Sequence, residues 1–395
     1  MNNISSQPPP STSAIKVMIV DDSAVIRGFL VKILASCEDI EITSIAANGQ
    51  SAIQNLTKQK HDIILLDVEM PVMDGLAAIP RLLDVQPDVK ILMCSTLTSK
   101  NAETSLRALA LGAVECIAKP SSTQDMYSKD SFRETLVRTI RDLMGARIFK
   151  PLTRTATTSP TARPDITARA AATPSSGIQS QQKPTFASPQ KTVTLKSGRD
   201  GYTGKPEILV IGSSTGGPNA LFKLFASLRG IDIPVMLTQH MPPTFTKILA
   251  EHITQQSGIS AVEAEEGMPI IAGRIHVAPG GFHMLADLKG ATPVIRINDG
   301  PMENFCRPAV DPMFRSAVKV FGQKIMAVIL TGMGQDGMLG SRDVVQAGGR
   351  VIAQDEATSV VWGMPGAAAM DGTCSAVLPL EEIGPWLRKQ SLRLP

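Results

Sequence analysis

Cysteine is sparse in this chain, with five in 395 residues and no two in a CxxC pair. Cys37, Cys94, Cys116, Cys306 and Cys374 are scattered and odd in number. That excludes a disulfide framework and a cysteine-based zinc site, and it points to reduced thiols in a cytoplasmic protein. Long apolar runs are also missing. None approaches the ~20 residues of a membrane span, so no membrane insertion is expected. Residues 1–13 are polar and Pro-rich, without the apolar core of a secretory signal.

A basic excess is missing where it would matter. The net charge is +3, but residues 151–200 alone carry seven basic side chains against two acidic ones, which leaves the remainder slightly acidic. The folded parts therefore have no nucleic-acid footprint. The same interval is rich in Thr, Ser, Pro, Ala and Gln and lacks hydrophobic periodicity. It cannot bury enough apolar surface to offset its ordering entropy, and it reads as a disordered tether with a reach of about 40 Å. A chain of 395 residues exceeds one ordinary core. The expected organisation is a disordered tail over 1–14, a first domain over 15–147, a linker over 148–204 and a second domain over 205–395.

In the first domain, β-rich runs at 15–20, 41–46, 62–66, 90–94 and 114–118 alternate with helical patterns such as Ile26, Leu30 and Ile33 at i, i+4, i+7. Five such strands predict a doubly wound parallel sheet, whose ligands sit beyond the carboxyl ends of the strands. Those ends carry Asp21-Asp22, Asp67, Ser95-Thr96 and Lys119-Pro120. Three carboxylates at one edge repel unless a cation joins them, and hard oxygen ligands suit Mg²⁺. A lysine and a hydroxyl beside them would hold phosphoryl oxygens, with an Asp as the nucleophile toward phosphorus. A few surface acids that happen to end strands is the bland alternative, and it does not account for the whole set.

These residues resemble the receiver domain of response regulators over about 125 positions. The resemblance implies that Asp67 is the phosphorylated aspartate and that Asp21 and Asp22 are the Mg²⁺ acids. It gives Glu69 a metal-binding backbone carbonyl, Ser95 the role of hydroxyl switch and Lys119 that of phosphate-sensing lysine. Cys116 stands where receivers usually carry a switching aromatic.

The second domain opens with a strand at 207–211, followed by strands at 233–239, 274–277, 294–297, 324–331 and 350–353, again a mostly parallel sheet with covering helices. After the first strand comes Gly212-Ser-Ser-Thr-Gly-Gly217. No lysine follows, which excludes a P-loop, and no acid ends the next strand, which weakens a dinucleotide fingerprint. Gly212-x-Ser214-x-Gly216 fits a nucleophile elbow, although G-x-S-x-G alone is a common accident. Of five histidines, only His240 caps the next strand, where a doubly wound sheet places its site. His283 has no supporting context. Asp336 lies in a Gly-rich loop at the same edge, suited to oxyanion-binding amides. Taken alone, Asp336 reads more simply as an Asx-type turn. Ser214, His240 and Asp336 together make a triad in an order unlike that of the α/β hydrolases.

I-G-S-S-T-G-G-P, T-Q-H-M-P-P, H-V-A-P-G, R-P-A-V-D and L-T-G-M-G-Q-D-G, behind a receiver, resemble the chemotaxis protein-glutamate methylesterase family (CheB). The resemblance implies a Ser214–His240–Asp336 triad, Thr215 beside the histidine and the Met333 amide as oxyanion donor. It implies hydrolysis of glutamyl methyl esters and deamidation of glutamines on methyl-accepting chemotaxis receptors, activated through a chemotaxis histidine kinase. The receiver would use Mg²⁺, the esterase site no cofactor, and the protein would act as a monomer without nucleic acid. The linker is longer than is usual in the family, which implies looser docking. Two other classes compete, a response regulator with a DNA-binding output and a nucleotide-binding module. The second half shows neither a helix-turn-helix pattern nor a basic helix to support the former.

Overall fold

The structure is a computed structural model that describes residues 14–95, 99–119, 130–145 and 204–390. All but the last residue of the expected tail over 1–14 and nearly all of the linker over 148–204 lie outside the described residues, as do Thr96 and Pro120.

The first domain is a five-stranded parallel sheet in the order β2-β1-β3-β4-β5. Its strands are β1 (Ile15–Val20), β2 (Ile40–Ala46), β3 (Ile63–Asp67), β4 (Lys90–Ser95) and β5 (Glu115–Ala118). Every residue of β3 is buried, as expected of a central strand with helices on both faces. The helices begin on side-chain caps. Ser23 accepts from the Ile26 amide before α1 (Ala24–Leu34), Asn48 caps α2 (Gly49–Lys58) and Asp74 caps α3 (Gly75–Val85). Next come α4 (Ser99–Ala110) and α5 (Asp130–Leu143).

The second domain is a seven-stranded parallel sheet in the order β14-β13-β12-β6-β7-β9-β8. These are β6 (Ile208–Ser213), β7 (Val235–Gln239), β8 (Ser260–Glu263), β9 (Arg274–Val277), β12 (Ile325–Ile329), β13 (Arg350–Gln354) and β14 (Ala376–Leu378). Its helices are α6 (Gly217–Ser227), α7 (Phe245–Ser257), α8 (Val310–Phe321), α9 (Met338–Gln346), α10 (Met364–Met370) and α11 (Leu380–Gln390). The chain leaves β6 toward β7 on one side and returns as β12 on the other, so the switch point lies at β6.

One strand departs from the sequence reading. The segment at 294–297 does not join the parallel sheet. It lies in β11 (Thr292–Asn298), which pairs antiparallel with β10 (His283–Lys289) as a separate hairpin. The incomplete burial of β11 suits such a ribbon, whereas β6 is buried throughout. The short edge strands β8 and β14 add to those expected; edge positions demand less continuous burial.

The two domains touch. Helix α4 packs against α6 and α7, and one apolar core runs from Leu106 and Leu109 to Leu221, Phe225 and Leu249. Asn219 Nδ2 donates to the Ala113 carbonyl at 3.5 Å.

Candidate active site and phosphoacceptor edge

Adjacent strands β12, β6 and β7 deliver Asp336, Ser214 and His240 to one carboxyl edge. At the elbow, the Ser214 amide donates to the Thr331 carbonyl at 3.0 Å and the Gly217 amide to the Ser214 carbonyl at 2.7 Å. Gly216 turns the chain at φ 76, where a Cβ would fall 2.6 Å from Val360. Gln239 clamps the turn. Its Oε1 accepts from Ser213 Oγ at 2.7 Å, and its Nε2 donates to the Ser214 carbonyl at 2.9 Å.

His240 Nε2 donates to Asp336 Oδ2 at 2.8 Å. The other ring nitrogen, Nδ1, meets Cys306 Sγ at 3.4 Å. Among the described hydrogen bonds none joins Ser214 Oγ to the imidazole. Burial disfavours the imidazolium, yet Asp336 and Cys306 outweigh it and push His240 up to about 10.

Asp336 is no solvent-facing Asx turn. It is buried and accepts from Asn304 Nδ2 (3.0 Å) and from the amides of Val310 (2.6 Å), Asp311 (3.0 Å) and Gly337 (3.0 Å). Burial would raise its carboxyl, but His240 and these amides hold it below the usual carboxylate range. Beside it, Asp311 accepts from Gly340, Gly337 and Asn304. Burial, with Asp336 as neighbour, pushes Asp311 up to about 6 against the Gly340 amide. Gln239, Asn304, Cys306 and Asp311 are thus site residues that sequence reasoning missed. Of these, Gln239 inside T-Q-H-M-P-P and Asp311 inside R-P-A-V-D lay in motifs that could have singled them out.

A cleft of about 1900 Å³ opens at this edge and is shared by both domains. The second domain lines it with Ser214, Thr215, His240 and Met333, and the first with Ser95, Glu115 and Cys116. Burial raises the Glu115 carboxyl, which is partly offset by hydrogen bonds from the Cys116 amide and the Thr215 side chain. Glu115 of the first domain and Thr215, which adjoins Ser214, thus face the same cleft. Cys116, at the usual aromatic position, donates its thiol to the Ser105 carbonyl at 3.6 Å, and burial holds the thiol far above its ordinary range.

At the first domain's edge, Lys119 Nζ bridges Asp21 Oδ2 and Asp67 Oδ1, each at 2.7 Å. Burial opposes the Lys119 charge, but the two carboxylates win and raise it. Burial is the main cause that raises Asp67, against the lysine. Oxygens of Asp21, Asp22 and Asp67 lie within 4.8 Å of one another, a donor set that fits a hard divalent cation. Ser95 is buried at the end of β4, Asp22 is exposed, and Glu69 follows β3 with its side chain in solvent. No described helix is long and apolar enough to cross a membrane.

Residues 209–387 match the CheB methylesterase family model and residues 17–129 the response regulator receiver domain. A protein-glutamate methylesterase/protein-glutamine glutaminase of group 2 operon from Rhodospirillum centenum is 50% identical over 98% of this chain and 97% of its own. One from Azospirillum brasilense is 48% identical, covering 98% of both chains. The crystal structure of the Thermotoga maritima CheB methylesterase catalytic domain aligns at 39% identity and a TM-score of 0.46, covering 48% of this chain and 99% of that one. The chain belongs to the protein-glutamate methylesterase/protein-glutamine glutaminase family, with a receiver domain ahead of its CheB methylesterase domain.

Proposed function

We propose that this methylesterase/glutaminase works through Ser214, His240 and Asp336 on the glutamyl side chains of methyl-accepting chemotaxis receptors, and that phosphorylation of Asp67 activates it. His240 takes the Ser214 proton, Ser214 Oγ attacks the ester carbonyl, and Asp336 fixes the imidazole. The Met333 amide stabilises the oxyanion, and Thr215 supports the histidine. Collapse returns the proton to the leaving group, releasing methanol from an ester or ammonia from a glutamine. Water then cleaves the acyl-serine to glutamate.

The observation that carries this reading is the 2.8 Å bond between His240 and Asp336, which follow the two strands flanking the one that leads into Ser214. The arrangement described is a resting one. A histidine raised to about 10 holds its proton at neutral pH and cannot act as a base, and its Nδ1 meets Cys306 instead of Ser214. Catalysis then requires Ser214 and His240 to come into hydrogen-bond contact.

In the receiver, Asp67 accepts the phosphoryl group from a chemotaxis histidine kinase, and Ser95 and Lys119 bind its oxygens. A Mg²⁺ held by Asp21, Asp22, Asp67 and the Glu69 carbonyl would offset the charge there. Transfer to Asp67 breaks the Lys119 bridge and so perturbs β5, which carries Glu115 against Thr215. The domain boundaries we assign are 15–147 and 205–395, the protein acts as a cytoplasmic monomer, and the outcome is sensory adaptation. The test is methanol release from methylated receptor by wild type and Ser214→Ala. Loss of release in the variant is expected, and near-wild-type turnover would remove Ser214 from the reaction.

A further inference from the structure

Residues 299–309 form a loop that is tied down at every turn yet ends in an exposed aromatic ring. Arg307 Nη1 donates to the carbonyls of Asp299 (2.7 Å) and Gly300 (2.8 Å), which closes the base. His283 spans the neck. Its Nδ1 accepts from the Ala309 amide at 3.2 Å, so its Nε2 carries the proton and donates to the Pro301 carbonyl at 2.9 Å. The sequence offered no context for this histidine, and the structure makes it a brace. Above the neck, Glu303 and Cys306 exchange two backbone hydrogen bonds of 3.2 and 2.9 Å, and Arg315 holds the Glu303 carboxylate at 2.6 Å.

The tip is strained. Asn304 and Phe305 both adopt left-handed backbone, at φ 52 and 62, which costs any residue other than glycine. Asn304 repays this through its side chain, which bonds Asp311 and Asp336. Phe305 does not repay it within the fold, because its ring is 90% exposed. The ring stands on the rim of the catalytic cleft, one residue from the Cys306 thiol that touches His240 and one from the Asn304 amide that touches Asp336.

We infer that Phe305 is a specificity-determining residue that docks an apolar side chain flanking the target glutamate on the protein substrate. The inference rests on the methylesterase site assigned above. A glutamyl side chain is short, so the polypeptide that carries it must lie across the rim when its carbonyl reaches Ser214. An aromatic ring held there has a large apolar face to offer that polypeptide, and nothing in its own domain covers it. Met302, 63% exposed on the same loop, widens the apolar surface.

The full-length protein tests this with Phe305→Gly and Phe305→Tyr, assayed for methanol release from a methylated receptor and from a small glutamyl γ-methyl ester. Glycine accepts the left-handed backbone, so Phe305→Gly should melt at or above the wild-type temperature. The ratio of kcat/KM for the receptor to that for the small ester should nevertheless fall by about tenfold or more, carried by KM, as expected for losing a buried aromatic contact. Phe305→Tyr should keep most of the ratio. An unchanged ratio in Phe305→Gly, or equal losses on both substrates, overturns the inference. If wild type hydrolyses neither ester, the methylesterase site itself fails, and that result is distinct from the others.

Discussion

The Val310 amide donates to Asp336 Oδ2 at 2.6 Å, the same oxygen that receives His240 Nε2. Val310 is the first residue of α8, so the carboxylate that orients the histidine also satisfies a helix N-terminus. Orientation of the base and anchoring of α8 to the active edge are therefore one interaction. A triad acid whose only task was to hold an imidazole would not need this.

Asp336→Asn should accordingly cost stability as well as rate. An amide cannot accept from Asn304, Val310, Asp311, Gly337 and His240 together, and its NH₂ would face donors. The expected loss is roughly 3 kcal/mol, the scale of an uncompensated buried polar group. Thermal unfolding checks this. An unshifted melting temperature with impaired turnover would reduce Asp336 to orientation alone.

The proton on His240 has a measurable signature. A folded-state value near 10, above the ordinary 6.5, means that the ionised pair stabilises the protein fully below pH about 6.5. That contribution is lost as pH rises through about 10. As the proposed base, His240 would work only when neutral, so kcat/KM for a small ester should climb through the alkaline range in the unphosphorylated protein. Cys306 is the second group that raises the histidine. Cys306→Ala should remain active and carry its rising limb at lower pH. A superimposable profile in the variant would rule out the thiol as a partner.

Much of the site could be read in the sequence because the strands that bear it are so apolar. Strands β3, β6 and β7 are buried along their whole length, and each ends in, or is followed by, a residue type that chemistry needs. Asp67, Ser214 and His240 stand at such ends. The role of Gln239 was hidden because its clamp on Ser213 joins two strands whose adjacency only the sheet order reveals. Asn304 was hidden because it acts from a loop that no periodicity marks. The hairpin of β10 and β11 was misassigned because a short apolar run does not disclose whether its partner is parallel. Glu115 could not be recognised from within its own domain, since its contact is Thr215 of the other.

Chelation should separate the two halves of the protein. Asp21, Asp22 and Asp67 converge as a candidate cation site, whereas the esterase reaction as proposed uses only groups of the protein and water. Excess EDTA should abolish stimulation of methanol release by a small-molecule phosphodonor and leave the basal rate in place. Stimulation that survives complete chelation would mean that these acids serve charge balance with Lys119 and not cation binding. Loss of the basal rate would point to a metal in the esterase reaction itself.

The last expectation concerns the contact between domains. Glu115 and Cys116 line the candidate active-site cleft together with Thr215, and α4 packs on α6 and α7 beside the elbow. On the proposed mechanism, a receiver in this position would deny a protein substrate access to Ser214. Phosphorylation at Asp67, as proposed, would give Lys119 and Ser95 a new anion, and because Lys119 follows β5, the strand bearing Glu115 would be the one to shift. A fragment of residues 205–395 should therefore release methanol from methylated receptor faster than the unphosphorylated full chain. The gain should be on the order of tenfold, as for an ordinary coupling free energy of about 1–3 kcal/mol. Glu115→Ala in the full chain should recover part of that gain, and Asp67→Asn should keep the basal rate but lose its response to phosphodonor. If the fragment proves slower than the intact unphosphorylated chain, the receiver assists catalysis or recruits substrate, and the contact between Glu115 and Thr215 is part of the working site and not a block upon it.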